Sequence, residues 1–327
     1  MEGKEVLLEV TADHLNTGLR GVPVGTCRTS FVTPTEGVYY CGYPISELTN
    51  FSPEDIVYLL FNKELPNAQQ SADIRADLAS RGEIPGDLEA VFRTLPKYGH
   101  PMDWISVAIH TMGMWETTGD WKEDALNLIA RMPRVMGLMY RIREGREENI
   151  PADDTSLNMV QRFVNTIGLE NVDNEKMERI IATYLVLHMD HGGGNLSTFT
   201  GKAIASSKAT VYSAMVGAMN ALSGPLHGRA NQSCLEFVLK IGTSDPEEVE
   251  EFVRGELAAK RPIFGFGHAV LRTEDPRASA QFALGEEICP NDENFKIIRT
   301  LREVAPRVLA ENPKISNPNA NVDIASG

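Results

Sequence analysis

Three histidines in the second half of the chain sit beside glycines: in HMDHGGGN (188–195), SGPLHGRANQ (223–232) and GFGHAVLRTEDPR (265–277). Imidazole is the side chain that titrates near neutrality, and glycine is used where the backbone turns sharply or something must approach closely. The combination suits acid–base chemistry on a bound molecule, although each histidine alone would be equally at home on a surface or in a satisfied core. Arg272 and Arg277 follow His268 within one short segment. Their forked guanidinium groups match carboxylate or phosphate geometry; a solvated basic face is the competing reading.

Other chemistries fit less well. His188 and His191 are spaced to supply two ligands from one helix end, but no third thiolate or regular carboxylate pattern lies nearby, and no metal is expected. HGGG is reminiscent of an esterase oxyanion segment, yet the chain has no G-x-S-x-G nucleophile elbow. GFGHAV departs from the dinucleotide fingerprint because Val270 occupies the last glycine position. His227 falls after Gly224 and Pro225, where the spacing predicts the first turn of a helix over 226–241. There the helix dipole would disfavour imidazolium and leave a neutral ring able to donate a hydrogen bond. A plain N-terminal histidine satisfies the same local pattern. Asp275 is placed to cap a helix that begins at Pro276.

The elements that must hold these residues are mostly helices. FSPEDIVYLLFN (51–62) has Ser52 as cap, Pro53 at the first helical position and two acids in the first turn. Helical spacing also marks 71–82, 102–116 and a long run over 121–145 that contains Pro133, where a kink is expected. Further helices are predicted at 155–167, 175–190, 208–222, 246–260, 277–289 and 293–311. Short β-prone runs at EVLLEV (5–10) and EGVYYCG (36–42) predict a small N-terminal hairpin region. With no strands to alternate with the helices, a doubly wound sheet is excluded and the class is mainly α. SGPLHG (223–228) is the expected boundary between a large unit, 1–222, and a smaller one, 223–327.

The chain has 327 residues and a net charge of −14, from 45 acidic and 31 basic residues. That balance argues against a nucleic-acid partner without excluding a small anion held by local arginines. Cys27, Cys41, Cys234 and Cys289 are scattered, as reduced thiols in a reducing compartment would be. No apolar stretch reaches membrane-spanning length and no leader pattern opens the chain, so a soluble cytoplasmic protein is expected.

Taken together, GPLHGRANQ, GFGHAVLRTEDPR and NPNANVDIASG (317–327), with HMDHGGGNLST, HPMDWISVAIHTMG, GLRGVPVGTCRTSF and EGVYYCGYPISEL, resemble the citrate synthase family over nearly the whole chain. The resemblance implies a two-domain, mainly helical homodimer that condenses acetyl-CoA with oxaloacetate and hydrolyses citryl-CoA, with no metal and no cofactor beyond acetyl-CoA as substrate. By position, Asp323 resembles the base that takes the methyl proton. His227 resembles the neutral electrophile at the thioester carbonyl, and His268 the proton donor to the oxaloacetate carbonyl. His191 and Arg277 resemble oxaloacetate-binding residues. Arg272 and the backbone of 264–267 (Gly265, Phe266, Gly267) resemble the coenzyme A site, with Arg20 reaching it from the partner subunit. Family members carry two further arginines beyond the position of Gly327, in helices that return to the large domain; that return is expected to be absent here. Gly192 stands where the family has an acid. A 2-methylcitrate synthase using propionyl-CoA, or a weakly active subunit with an assembly role, are the alternatives.

Overall fold

Helix-forming sequence dominates the chain, and its punctuation decides where each helix starts. The computed structural model describes residues 6–16, 22–23, 25–224 and 227–327. A three-stranded antiparallel sheet, β1 (Ser30–Thr33), β2 (Gly37–Tyr40) and β3 (Tyr43–Pro44), is ordered β1-β2-β3 and pairs Ser30 with Tyr40. It leads into α1 (Ile45–Leu48), α2 (Pro53–Asn62), α3 (Ala68–Ser80), α4 (Leu88–Thr94), α5 (Pro101–Trp115), α6 (Trp121–Arg143) and α7 (Met159–Ile167). Then follow α8 (Asn174–His188), α9 (Leu196–Ala205), α10 (Val211–Leu222) and α11 (Ala230–Ile241). The chain continues through α12 (Pro246–Ala258), α13 (Pro276–Ile288), α14 (Glu293–Ala310) and the short α15 (Asp323–Ser326).

The mainly helical class is as expected, and most helices begin at the caps that the sequence marks. Ser52 accepts from the Asp55 N–H while the Asp55 carboxylate accepts from the Ser52 N–H, closing a capping box at α2. Asp275 caps α13. α6 runs through Pro133 as one helix, fixed near its middle by the buried Arg131, whose guanidinium reaches Glu83 O (2.8 Å), Tyr212 Oη (3.2 Å) and Glu116 Oε2 (2.7 Å).

One expectation fails here, and α1, α4, α9 and α15 were not expected. Glu5 of the expected run lies outside the described residues; 6–10 form no strand, and Val6, Leu7 and Val10 are exposed, because β-propensity makes a strand only when a neighbouring edge pairs with it. α9 went unread because LSTFTGKAIA opens without a side-chain cap and buries none of its residues.

Buried apolar residues gather in distinct clusters. One joins β2, α1, α2 and α8 through Tyr40, Leu48, Ile56 and Leu187. Another joins α4, α5, α6 and Tyr212 of α10. A third is drawn wholly from residues 234–324, with Phe282 of α13, Leu301 of α14 and Ile324 of α15 at its centre.

Because Ser52 supplies one half of a cap on a helix that packs Ile56 and Leu59 into the core, Ser52→Ala is expected to cost about 1 kcal/mol. Urea denaturation should show a lower midpoint at unchanged slope, and Ser52→Thr should recover most of the loss.

Candidate active site

The geometry of the site starts from a meeting of two loops. The Gly267 N–H donates to Asn319 O and the Asn321 N–H to Gly265 O, both at 2.9 Å, so Phe266 faces Ala320 in an antiparallel bridge. The Asn321 side-chain amide adds a bond to Gly267 O at 2.9 Å. Gly265 has φ +82°, and a β-carbon there would lie 2.7 Å from Ile324 Cβ, so only glycine allows α15 to seat against this turn. Asn317, buried, donates to Leu271 O (2.8 Å) and Thr273 O (3.2 Å), and the Asp275 N–H donates to Ala320 O (3.0 Å). The histidine–arginine segment and the segment that ends in Asp323 are thereby one structure.

On this frame stand the imidazoles. His268 Nδ1 accepts from the Val270 and Leu271 N–H groups at 3.0 and 2.9 Å. In the neutral ring the proton therefore sits on Nε2, which becomes a donor. Its ring meets His191 edge-on, centroids 5.3 Å apart. His191 Nε2 is buried without a partner among the described residues, and burial, aided by the nearby Arg277 charge, pushes its pKa down to about 4. His188 Nδ1 donates to Tyr184 O at 2.7 Å, its ring stacks on Tyr184 at 4.2 Å, and burial likewise brings it to about 4. Burial also lowers His268. These rings are neutral at physiological pH.

Arg277 and Asp275 are buried as a pair, with Nε on Oδ1 at 3.0 Å and Nη2 on Oδ2 at 2.7 Å. Among the described residues Nη1 makes no hydrogen bond, which leaves one face of the guanidinium for a ligand. The Asp323 carboxyl is raised from its ordinary value, chiefly by burial, against the pull of Arg277. A carboxylate with raised affinity for protons suits proton abstraction from a weak carbon acid, provided a neutral donor stabilises the developing enolate.

His227 departs from its expected setting. α11 begins at Ala230, not 226, because the Gly228 N–H turns back to Leu222 O (2.9 Å) and the His227 N–H to Gly224 O (3.0 Å). The histidine thus sits in a turn ahead of the helix, and its pKa is lowered by burial rather than by a place in the first helical turn. The Ser197 hydroxyl lies 2.9 Å from its Nε2 and the Ser197 N–H donates to the same atom at 3.4 Å, so the proton of the neutral ring lies on Nδ1. Among the described residues no hydrogen bond or ring contact joins His227 to Asp323 or His268. They share a neighbourhood, because Asn231 in the first turn of α11 donates to Ser326 Oγ of α15 at 2.6 Å.

Arg272 is exposed and folds its Nη1 over the carbonyls of Val270 and Leu271 at 3.0 and 2.9 Å. The bridge occupies Gly265 O and the Gly267 N–H, leaving the N–H and C=O of Phe266 outside it. Arg20 lies outside the described residues. Sequence reasoning missed Ser197, which orients His227, and the asparagines at 317, 319 and 321. Their period-two spacing was the available signal for an extended segment.

Comparison with known proteins agrees across the chain. The model of the family described as citrate synthase, C-terminal domain, matches residues 18–327. A mitochondrial 2-methylcitrate synthase of Yarrowia lipolytica is 33% identical over an alignment covering 100% of this chain and 76% of that protein. A mitochondrial citrate synthase of Saccharomyces cerevisiae is 33% identical, covering 99% and 73%. The crystal structure of citrate synthase from Thermotoga maritima superposes with a TM-score of 0.81 at 28% identity, over 95% of this chain and 82% of that one.

The depressed histidines predict a pH dependence. Between about 4 and the ordinary 6.5 the unfolded chain binds a proton at His191 that the folded chain does not, so stability rises with pH across that window and is complete above it. On acidification from pH 7 to 5, the native protein should lose roughly 1–2 kcal/mol more than His191→Gln. Urea midpoints measured at both pH values check this.

Proposed function

This chain belongs to the citrate synthase family, and from that premise we propose that it condenses acetyl-CoA with oxaloacetate and hydrolyses the resulting citryl-CoA. The observation that carries the reading is the buried Asp323 carboxyl on a segment that the 265–267/319–321 bridge joins to the turn carrying His268, a neutral histidine whose tautomer is fixed. The Asp323 carboxylate takes a proton from the acetyl methyl group. The Nδ1–H of His227 donates to the thioester oxygen and so stabilises the enol that forms. The enol carbon attacks the ketone of oxaloacetate, and His268 delivers the Nε2 proton to that oxygen as the carbon–carbon bond closes. Water then adds to the thioester carbonyl, and the coenzyme A thiol leaves with a proton. Imidazole and carboxylate do the acid–base work, so the reading assigns no metal or further cofactor.

His191 and the free face of Arg277 take the oxaloacetate carboxylates. Arg272, which has no carboxylate partner among the described residues, serves coenzyme A phosphates together with the Phe266 backbone, and Arg20 is assigned there by resemblance. The division into 1–222 and 223–327 is supported by the apolar cluster confined to residues 234–324. A homodimer is part of the reading: α10, VYSAMVGAMNAL, is apolar over most of its length yet buries only Tyr212, and Leu196, Met136 and Met215 are exposed on α9, α6 and α10. No helix among the described residues is long and apolar enough to cross a membrane. Four free thiols suit a reducing compartment, and the cytoplasmic setting belongs to this proposal; the two fungal relatives named above are mitochondrial proteins. The charge of −14 continues to argue against nucleic acid.

Release of coenzyme A thiol in the presence of oxaloacetate, followed with a thiol reagent, tests the reaction. Acetyl-CoA should exceed propionyl-CoA in kcat/KM; the reverse order would make the protein a 2-methylcitrate synthase, and no turnover with either would favour an assembly role. Asp323→Asn should lower kcat by at least about 100-fold while oxaloacetate binding, measured by calorimetry, stays within about twofold of native. Sedimentation should give a mass near twice 36.0 kDa, and Met215→Glu should shift it toward the single chain.

A further inference from the structure

His191 is gripped from both sides by the N-terminal hairpin. The N–H of Asp190, just before it, donates to Tyr40 Oη at 3.1 Å, and the N–H of Gly192, just after it, donates to Ser30 Oγ at 2.6 Å. Ser30 and Tyr40 are opposite residues of the β1–β2 ladder, so both hydroxyls project from the same face of the sheet. Tyr40 is fully buried in the cluster shared with α1, α2 and α8, and Ser30 is buried beside it. Thr29 adds a bond from its hydroxyl to the Asp190 carboxylate. A peptide fixed at both neighbours holds the Cα–Cβ direction of the residue between them, and here that side chain carries a buried Nε2 with no partner among the described residues, edge-on to His268.

We propose that Ser30 and Tyr40 are positioning residues for His191: the hairpin hydroxyls clamp the backbone on either side of it and so aim its unpartnered imidazole nitrogen at oxaloacetate. The proposal rests on the reading of His191 as an oxaloacetate-binding residue. It assigns the sheet, otherwise remote from the chemistry, a place in substrate affinity. Removing the Ser30 hydroxyl leaves the Gly192 N–H without its nearest acceptor, with only the longer bond to Asp190 Oδ1 at 3.1 Å to hold it.

Steady-state kinetics on Ser30→Ala, alone and in a His191→Gln background, test this. Ser30→Ala should raise KM for oxaloacetate roughly tenfold, the scale of a lost buried acceptor, and leave KM for acetyl-CoA within about twofold. Ser30→Thr, which keeps the hydroxyl, should restore the native value. In the His191→Gln background the same substitution should add less than about twofold, because the two act through one group. Equal rises in both KM values, no rise at all, or a full rise in the His191→Gln background would overturn the positioning role. If His191→Gln itself leaves KM for oxaloacetate unchanged, the assignment of His191 fails instead, and the positioning role fails with it. Tyr40→Phe, which removes only a hydroxyl, is the second variant should Ser30→Ala not fold.

Discussion

Everything at this site depends on the antiparallel bridge between residues 265–267 and 319–321. Asp323 and His268 are far apart in the chain, and the bridge is what sets the register of one segment against the other. Two backbone bonds, an asparagine amide and a glycine with no β-carbon to hold α15 away achieve that registry. Asn317 extends it by tying Leu271 and Thr273 to the same segment. Each of these bonds is ordinary in strength. Their effect is geometric, because a reacting group displaced by an ångström loses much of its advantage.

The second organising fact is electrostatic. Burial pushes His188, His191, His227 and His268 below the usual histidine range, with Arg277 reinforcing it at the first two and at His268. Neutral imidazole has one donor and one acceptor nitrogen, so what it can do depends on which nitrogen the protein occupies. At His268 backbone N–H groups occupy Nδ1; at His227 Ser197 occupies Nε2. The two rings thus present opposite nitrogens as donors, one set by a local turn and the other by a helix from elsewhere in the chain. Arg277 remains compatible with these neutral rings because Asp275 balances its charge within the same buried space.

Much of this was legible in the sequence. Ser52 with Pro53 marks α2, Asp275 with Pro276 marks α13, and GFGHAVLRTEDPR with NPNANVDIASG identifies the site segments. Errors arose where local pattern lacked its physical complement. The β-prone run at 6–10 forms no strand and stays exposed. SGPLHG reads as a helix start, yet the N–H groups of His227 and Gly228 turn backward to Gly224 and Leu222. α9 has neither cap nor buried stripe to announce it, so Ser197 could not be seen as the partner of His227.

The sequence by itself determined most of the helices and their caps, the family and the residue types able to do acid–base chemistry, since these follow from contacts within a few residues and from composition. Tertiary structure alone decided which nitrogen of His227 is free, how far each histidine pKa moves, and that a hairpin near residue 30 grips a loop near residue 191. Those properties depend on burial and on donors supplied from distant parts of the chain, and neither is encoded in the spacing of neighbouring residues.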